Sequence, residues 1–326
     1  MIFIILSLLG LALAGYFFVG KATPAKEINW GVNFSQTYAQ SLDLDWKKAY
    51  SALLDDLKVR DIKLITQWDL IELKENEYDF ADLDWQINEA EKRNAKILLV
   101  IGIKTGRWPE CHEPSWLKIR NPKSEIRKSY LLDYIKDIVN RYKDSKAIWA
   151  WQVENEPFFS FGECPWKDKD FLKEEVNLVK SLDLKKRPVV ISDSGEFSFW
   201  ITAARIGDMV GVTMYRKTWF KELKRYISYP FSPVFYQRKA FYIDKIFGKK
   251  VFVSELQAEP WGQVLVPDLP LAEQQKTMDL ERFRGVVSFA GKTGFDRFYF
   301  WGAEWWYWLK EKQNKPEIWD AAKKLF

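Results

Sequence analysis

One histidine, His112, and two cysteines, Cys111 and Cys164, occur in 326 residues. A zinc centre needs three or four ligands, so Cys111-His112 is too sparse to hold one. A single imidazole also leaves little material for His-based chemistry. Gly-x-Gly-x-x-Gly, Gly-x-Ser-x-Gly and His-Glu-x-x-His are all absent, so hydride transfer, Ser/His hydrolysis and zinc peptidase chemistry lack their parts. Gly291-Lys292-Thr293 imitates the end of a phosphate-binding loop, but Val286 stands where that loop needs its first glycine; Gly291 reads as a helix C-cap. No cofactor and no metal are therefore expected. The net charge of +5 is modest and forms no basic stripe with interleaved aromatics, which argues against a nucleic-acid partner.

Charge is also missing from Met1 to Gly20, and Ile2 to Val19 is almost wholly apolar, about long enough to span a bilayer. The basic n-region of a secretory signal is absent, and Ala12-Leu13-Ala14 is only a weak cleavage site. Residues 1–20 are expected to be a signal peptide or transmembrane anchor, with an uncleaved anchor favoured. Residues 21–27 would be a linker, and residues 28–326 a domain outside the cytoplasm, membrane-anchored or secreted. In such a compartment Cys111 and Cys164 can pair or stay free.

What the chain does have is a core and a surplus of aromatics. Hydrophobic residues make up 47% and charged residues 29%, as in ordinary globular proteins. Seventeen tryptophans exceed what such a core requires. Trp68, Trp108, Trp116, Trp166, Trp219, Trp261, Trp305, Trp306 and Trp308 fall in expected loops, where flat rings suit the C–H faces of sugars.

From residue 28 onward short apolar runs alternate with helix-period segments. Strands are expected near Asn29–Phe34, Lys63–Gln67, Lys96–Gly102, Ile148–Asn155, Val189–Ser192, Met209–Tyr215, Val251–Glu255 and Phe298–Gly302. A helix starts at Asp45 with Trp46, Tyr50, Leu53, Leu54 and Leu57 on one face; another is capped by Asp82 and stops near Asn94. Eight strands with intervening helices predict a single (β/α)8 TIM barrel preceded by an N-terminal hydrophobic helix.

Two carboxylates end such strands: Glu156 in Trp151-Gln152-Val153-Glu154-Asn155-Glu156-Pro157, and Glu255 in Val251-Phe252-Val253-Ser254-Glu255. In a barrel all strand C-termini converge on one mouth, where two acids meet the needs of glycoside hydrolysis. Period-two alternation puts Glu154 on the face of Glu156, as a supporting or interior charge. Glu259 and Glu304 are candidates for substrate hydroxyls, as are Trp68 and Trp261 for sugar faces. Asp193 and Glu196 read as helix caps.

On these residues the chain resembles the retaining glycoside hydrolases of clan A, over most of residues 28–326. The resemblance implies a β/α barrel with Glu156 as acid/base, Asn155 on the sugar 2-hydroxyl, Glu255 as nucleophile, Tyr215 orienting it and Trp301 flooring the subsite. Family 5 members usually add an Arg from an early strand and His residues around the acid/base, a set that one histidine cannot supply. The run ending in Glu156 is closer to family 42 or 39 patterns. The expected function is a retaining β-glycoside hydrolase acting on a β-linked oligo- or polysaccharide, with the membrane reached through the N-terminal helix. The alternatives are a transglycosylase on the same barrel and a membrane-anchored glycan-binding protein without turnover.

Overall fold

A computed structural model describes residues 15–164 and 167–326. Eight strands close a parallel barrel: β1 (Asn29–Phe34), β2 (Asp61–Ile65), β3 (Lys96–Ile101), β4 (Ile148–Val153), β5 (Val189–Asp193), β6 (Met209–Met214), β7 (Lys250–Gln257) and β8 (Arg297–Trp301). Each pairs with its chain neighbour, and β8 returns to β1, with Asn29 opposite Arg297 and Val32 opposite Phe300. The TIM barrel expected from the sequence is present. Met1–Ala14, which carries most of the expected N-terminal helix, lies outside the described residues; residues 15–18 are helical. Among the described residues no helix is long and apolar enough to cross a membrane.

The alternation of each strand divides the core in two. Inward side chains Leu98, Ala150, Val190, Phe252 and Tyr299 fill the barrel, while outward ones pack beneath the helices. At the N-terminal end Asp61 accepts from Asn29, Tyr299 and Arg297, which closes the floor. Helix Trp46–Asp55 forms as its pattern requires: the Asp45 carboxylate accepts from the Lys47 and Lys48 amides, and Trp46, Tyr50, Leu53 and Leu54 are buried.

Two expected caps differ. Helix Ala81–Lys92 starts two residues earlier than a cap at Asp82 allows, and Asp79 accepts from the Ala81 amide; Asp82 sits in the first turn and accepts from Gln36 instead. Gly291 does close helix Leu280–Ala290, but in a right-handed conformation, and the left-handed residue follows at Gly294, φ +83°.

The Cys111 and Cys164 thiols form a disulfide joining the loop after β3 to the loop after β4. His112 beside it is buried and bonded to Gln67 and the Gly106 carbonyl, a structural tie within the same loop.

Candidate active site

The barrel brings Glu156 and Glu255 to one mouth, each by a local break in strand geometry. In β7 the register against β6 runs Val253 to Val212, then Glu255 to Thr213, so Ser254 is an extra residue. Phe252 points into the barrel, and simple alternation would turn Glu255 out; the bulge restores it to the inside. On β4 the strand ends at Val153, and both Glu154 (φ 58°) and Glu156 (φ 43°) are left-handed. Alternation stops there. Glu154, expected on the face of Glu156, turns instead toward the β3 loop, where its carboxylate accepts from the Ile103 and Lys104 amides at 2.8 and 2.6 Å.

Both carboxyl oxygens of Glu255 have partners. Lys63 on β2, fully buried, places its ammonium 2.8 Å from Glu255 Oε1, and the Tyr215 hydroxyl donates to Oε2 at 3.1 Å. The same Lys63 Nζ donates to Asn155 Oδ1 at 3.0 Å, as does Gln152 Nε2. Ser192 Oγ also reaches that oxygen, at 3.4 Å, so Asn155 has its amide nitrogen left for a ligand.

Glu156 stands in the opposite situation. Its amide is fixed by Ser192 Oγ at 2.8 Å, and Thr213 Oγ1 donates to its carboxyl at 3.2 Å, but among the described residues no cation pairs with it. Lys104, the nearest ammonium, is spent on the Glu156 and Phe159 carbonyls. Burial of the carboxyl, and next the charge of Glu255, push its pKa well above the ordinary glutamate range. One acid is thus paired with a cation, and its neighbour is built to hold a proton.

The other expected site residues separate into two groups. Tyr215 and Trp261 lie at the mouth, edge to face at 5.2 Å, and Trp261 continues through Phe161 (5.6 Å) to the exposed Trp108 (6.2 Å) as an aromatic rim. Glu259 and Glu304 are at the mouth too, but both are engaged by Arg107, at 2.5 and 3.3 Å, and Glu304 also accepts from the Ser35 amide.

Several expectations need correction. Trp68 is fully buried under the barrel wall, stacked on Tyr134 with its indole nitrogen on Glu72, and meets no cleft. Trp301 stands in the mouth, but Arg107 lies 4.0 Å over its ring and it is 5% exposed, so that face is not open to a sugar. Trp305 and Trp306 are likewise core, and Trp166 lies outside the described residues. Glu196 caps no helix: it accepts from the Tyr215 amide and the Tyr236 hydroxyl, and burial pushes it up to about 7. Asp193 binds Ser194 and Ser198 within its own turn, ahead of helix Ile201–Ile206.

Lys63, Arg107, Ser192 and Thr213 escaped the sequence reading. For Lys63 a signal existed: a lone cation inside an apolar strand, in period with Asp61, marks a polar interior stripe. Its place on an early strand supplies the cation for which no arginine had been found.

Known proteins share this fold. Glycosyl hydrolase family 10 is matched over residues 40–174, less than half of the chain. A beta-galactosidase, BgaA, of Clostridium cellulovorans is 26% identical over 176 residues, covering 48% of this chain and 26% of that protein. The polyextremophilic β-galactosidase of Halorubrum lacusprofundi shares the fold at TM-score 0.60 and 14% identity, over 84% of this chain and 52% of that one. Xylanase 10B of Thermotoga maritima does so at TM-score 0.56 and 14% identity, over 84% and 83%. The chain thus spans about a quarter of the curated relative and about half of the first of these structures. The chain is thus similar to glycosyl hydrolase family 10 over part of its length, and it shares the barrel fold of these enzymes.

Proposed function

We propose that the chain is a retaining β-glycosidase in which Glu255 is the nucleophile and Glu156 the acid/base. The observation that carries this reading is the contrast between the two carboxyl groups: Glu255 is held by Lys63 and Tyr215, and Glu156 has no cation and a raised pKa.

In the first step Glu255 Oε attacks the anomeric carbon while Glu156 gives its proton to the departing glycosidic oxygen, and the carbon–oxygen bond to the leaving group breaks. Once Glu255 is esterified its charge no longer bears on Glu156, whose pKa falls; Glu156 then takes a proton from water, and that water displaces Glu255. The configuration is retained. Asn155, its amide nitrogen turned to the cleft, binds the sugar 2-hydroxyl, and Trp261 with Tyr215 presents the apolar wall. The substrate is a β-linked oligo- or polysaccharide. A 2-fluoro β-glycoside tests the assignment: a labelled peptide containing Glu255 is expected, and a label on Glu259 or Glu304 would overturn it.

We also propose that the apolar start of the chain holds the barrel at a membrane outside the cytoplasm. Supporting this, the rings of Tyr16 to Phe18 pack on helix Pro233–Phe247 through Phe235 and Tyr242, and Phe18, Phe241 and Ile246 are exposed. Fractionation of cells expressing the full chain and a form starting at Lys21 tests it; equal recovery of both in the soluble fraction would refute it.

A further inference from the structure

Both acids of the pair are steadied from the end of β6. Thr213 gives its hydroxyl to Glu156 Oε1 at 3.2 Å, and Tyr215 gives its own to Glu255 Oε2 at 3.1 Å. The sheet does not fix these two donors by itself. Toward β5 the strand pairing ends at Asp193 opposite Val212, and toward β7 it ends at Leu256 opposite Met214. Thr213 has thus lost its β5 neighbour, and Tyr215 lies past both ladders, where a backbone N–H needs a partner of another kind.

The loop after β5 supplies the missing partners. The Gly195 amide donates to Thr213 Oγ1 at 3.1 Å, and Glu196 Oε1 accepts from the Tyr215 amide at 2.9 Å. With its oxygen accepting from Gly195, the Thr213 hydroxyl has its proton left for Glu156. The loop sits so close to β6 that a Cβ on Gly195 would fall 1.7 Å from the Thr213 carbonyl oxygen, so only glycine permits the approach. Helix Pro233–Phe247 holds the loop from behind. The buried ammonium of Lys239 donates to the Gly195 carbonyl at 2.6 Å, 3.9 Å from the centre of the Trp200 ring, and the Tyr236 hydroxyl donates to the same Glu196 oxygen at 2.7 Å.

We infer that Glu196 is a positioning residue of the reaction: by holding the Tyr215 amide it sets where the Tyr215 hydroxyl meets Glu255, and it acts on the nucleophile only through Tyr215. The inference rests on the reading of Glu255 as nucleophile above and adds a residue to it. What Glu196 contributes is an acceptor oxygen at the right reach, not a negative charge. A glutamine carries that oxygen equally far from the main chain, whereas an aspartate keeps the charge and falls one methylene short. Thr213 is tethered separately, by the Gly195 amide, so the acid/base has a support of its own. A displacement on the order of 1 Å at a reacting centre costs up to about 100-fold in rate, which makes a loosened Tyr215 measurable.

The test measures kcat and KM on an aryl β-glycoside that wild type turns over, for Glu196→Gln, Glu196→Asp and Glu196→Ala, each alone and combined with Tyr215→Phe. Glu196→Gln should keep most of the activity, while Glu196→Asp and Glu196→Ala should lose about tenfold or more through kcat with KM little changed. In the Tyr215→Phe background the same two substitutions should cost less than about threefold, because the hydroxyl through which Glu196 acts is gone. Losses of equal size in both backgrounds would overturn the inference. So would a Glu196→Asp variant as active as Glu196→Gln or more so, since that order belongs to a residue acting by its charge. Should Glu196→Ala not fold, the order of the other two variants decides. A 2-fluoro β-glycoside separates this inference from the reading beneath it: Glu196→Asp should still be labelled on Glu255, more slowly than wild type, whereas a label on another residue in wild type would bring down the nucleophile assignment instead.

Discussion

Replacing Lys63 by methionine keeps much of the side-chain volume and removes the ammonium 2.8 Å from Glu255. At that distance two unit charges attract by about 6 kcal/mol at an effective dielectric of about 20, and removing one partner of a buried pair costs about 3–5 kcal/mol. That cost falls on the charged nucleophile, on the fold, or on both. The measurement is kcat/KM against pH on an aryl β-glycoside with a good leaving group, so that attack by Glu255 limits the rate. The acid limb should move up, and on the acid side of the wild-type limb the rate should fall about 100- to 1000-fold, the factor to which about 3–4 kcal/mol corresponds. Thermal unfolding gives a second readout: Lys63→Met with Glu255→Gln, which leaves no buried charge, should recover stability relative to Lys63→Met alone at pH 7. An acid limb unmoved by Lys63→Met would refute the claim that this lysine keeps Glu255 ionised.

Glu156→Gln should lower kcat on natural glycan about 100- to 10,000-fold, with far less loss on aryl glycosides and rescue by azide as the β-glycosyl azide; an α-azide would contradict retention. Stability should fall as pH rises. Glu196 and Glu304, each raised by burial to about 7, keep their protons in the folded state after the unfolded chain has lost them near the ordinary glutamate value, so stability present at pH 4.5 is lost through pH 7. The loss is up to about 3 kcal/mol per group, read as a falling Tm between pH 5 and pH 8, and Glu196→Gln should flatten the slope. Cys164→Ser opens a link across a sequence separation of 53 and should cost up to about 4 kcal/mol in urea unfolding. An unchanged midpoint would mean that the loops hold without it.

The barrel strands were legible because both faces of a parallel strand are buried and so read as apolar runs, and β1 matches its expected bounds. Glu156 and Glu255 were legible as carboxylates ending such runs. Side-chain direction past the strand ends was not. The left-handed residues at Glu154 and Glu156 and the bulge at Ser254 are backbone events that no hydrophobic period announces. Tryptophan burial was equally opaque. Trp68 looks like a loop residue in sequence, yet it begins a one-turn helix that folds back onto Tyr134. Arg107 lies in a loop with no period at all, and its importance emerges only when Glu259, after β7, and Glu304, after β8, arrive beside it.

The extra residue in β7 makes that strand serve two masters. Below Ser254 its phase answers to the barrel, where Phe252 fills the interior; above it, to the reaction centre. Deleting a single residue at that point would leave the lower half, and with it the fold, intact, but would rotate the carboxylate outward beneath the helical shell. Architecture and chemistry in this protein are therefore separable by one peptide unit, and alignments that carry no gap there will place the wrong side chain in the mouth.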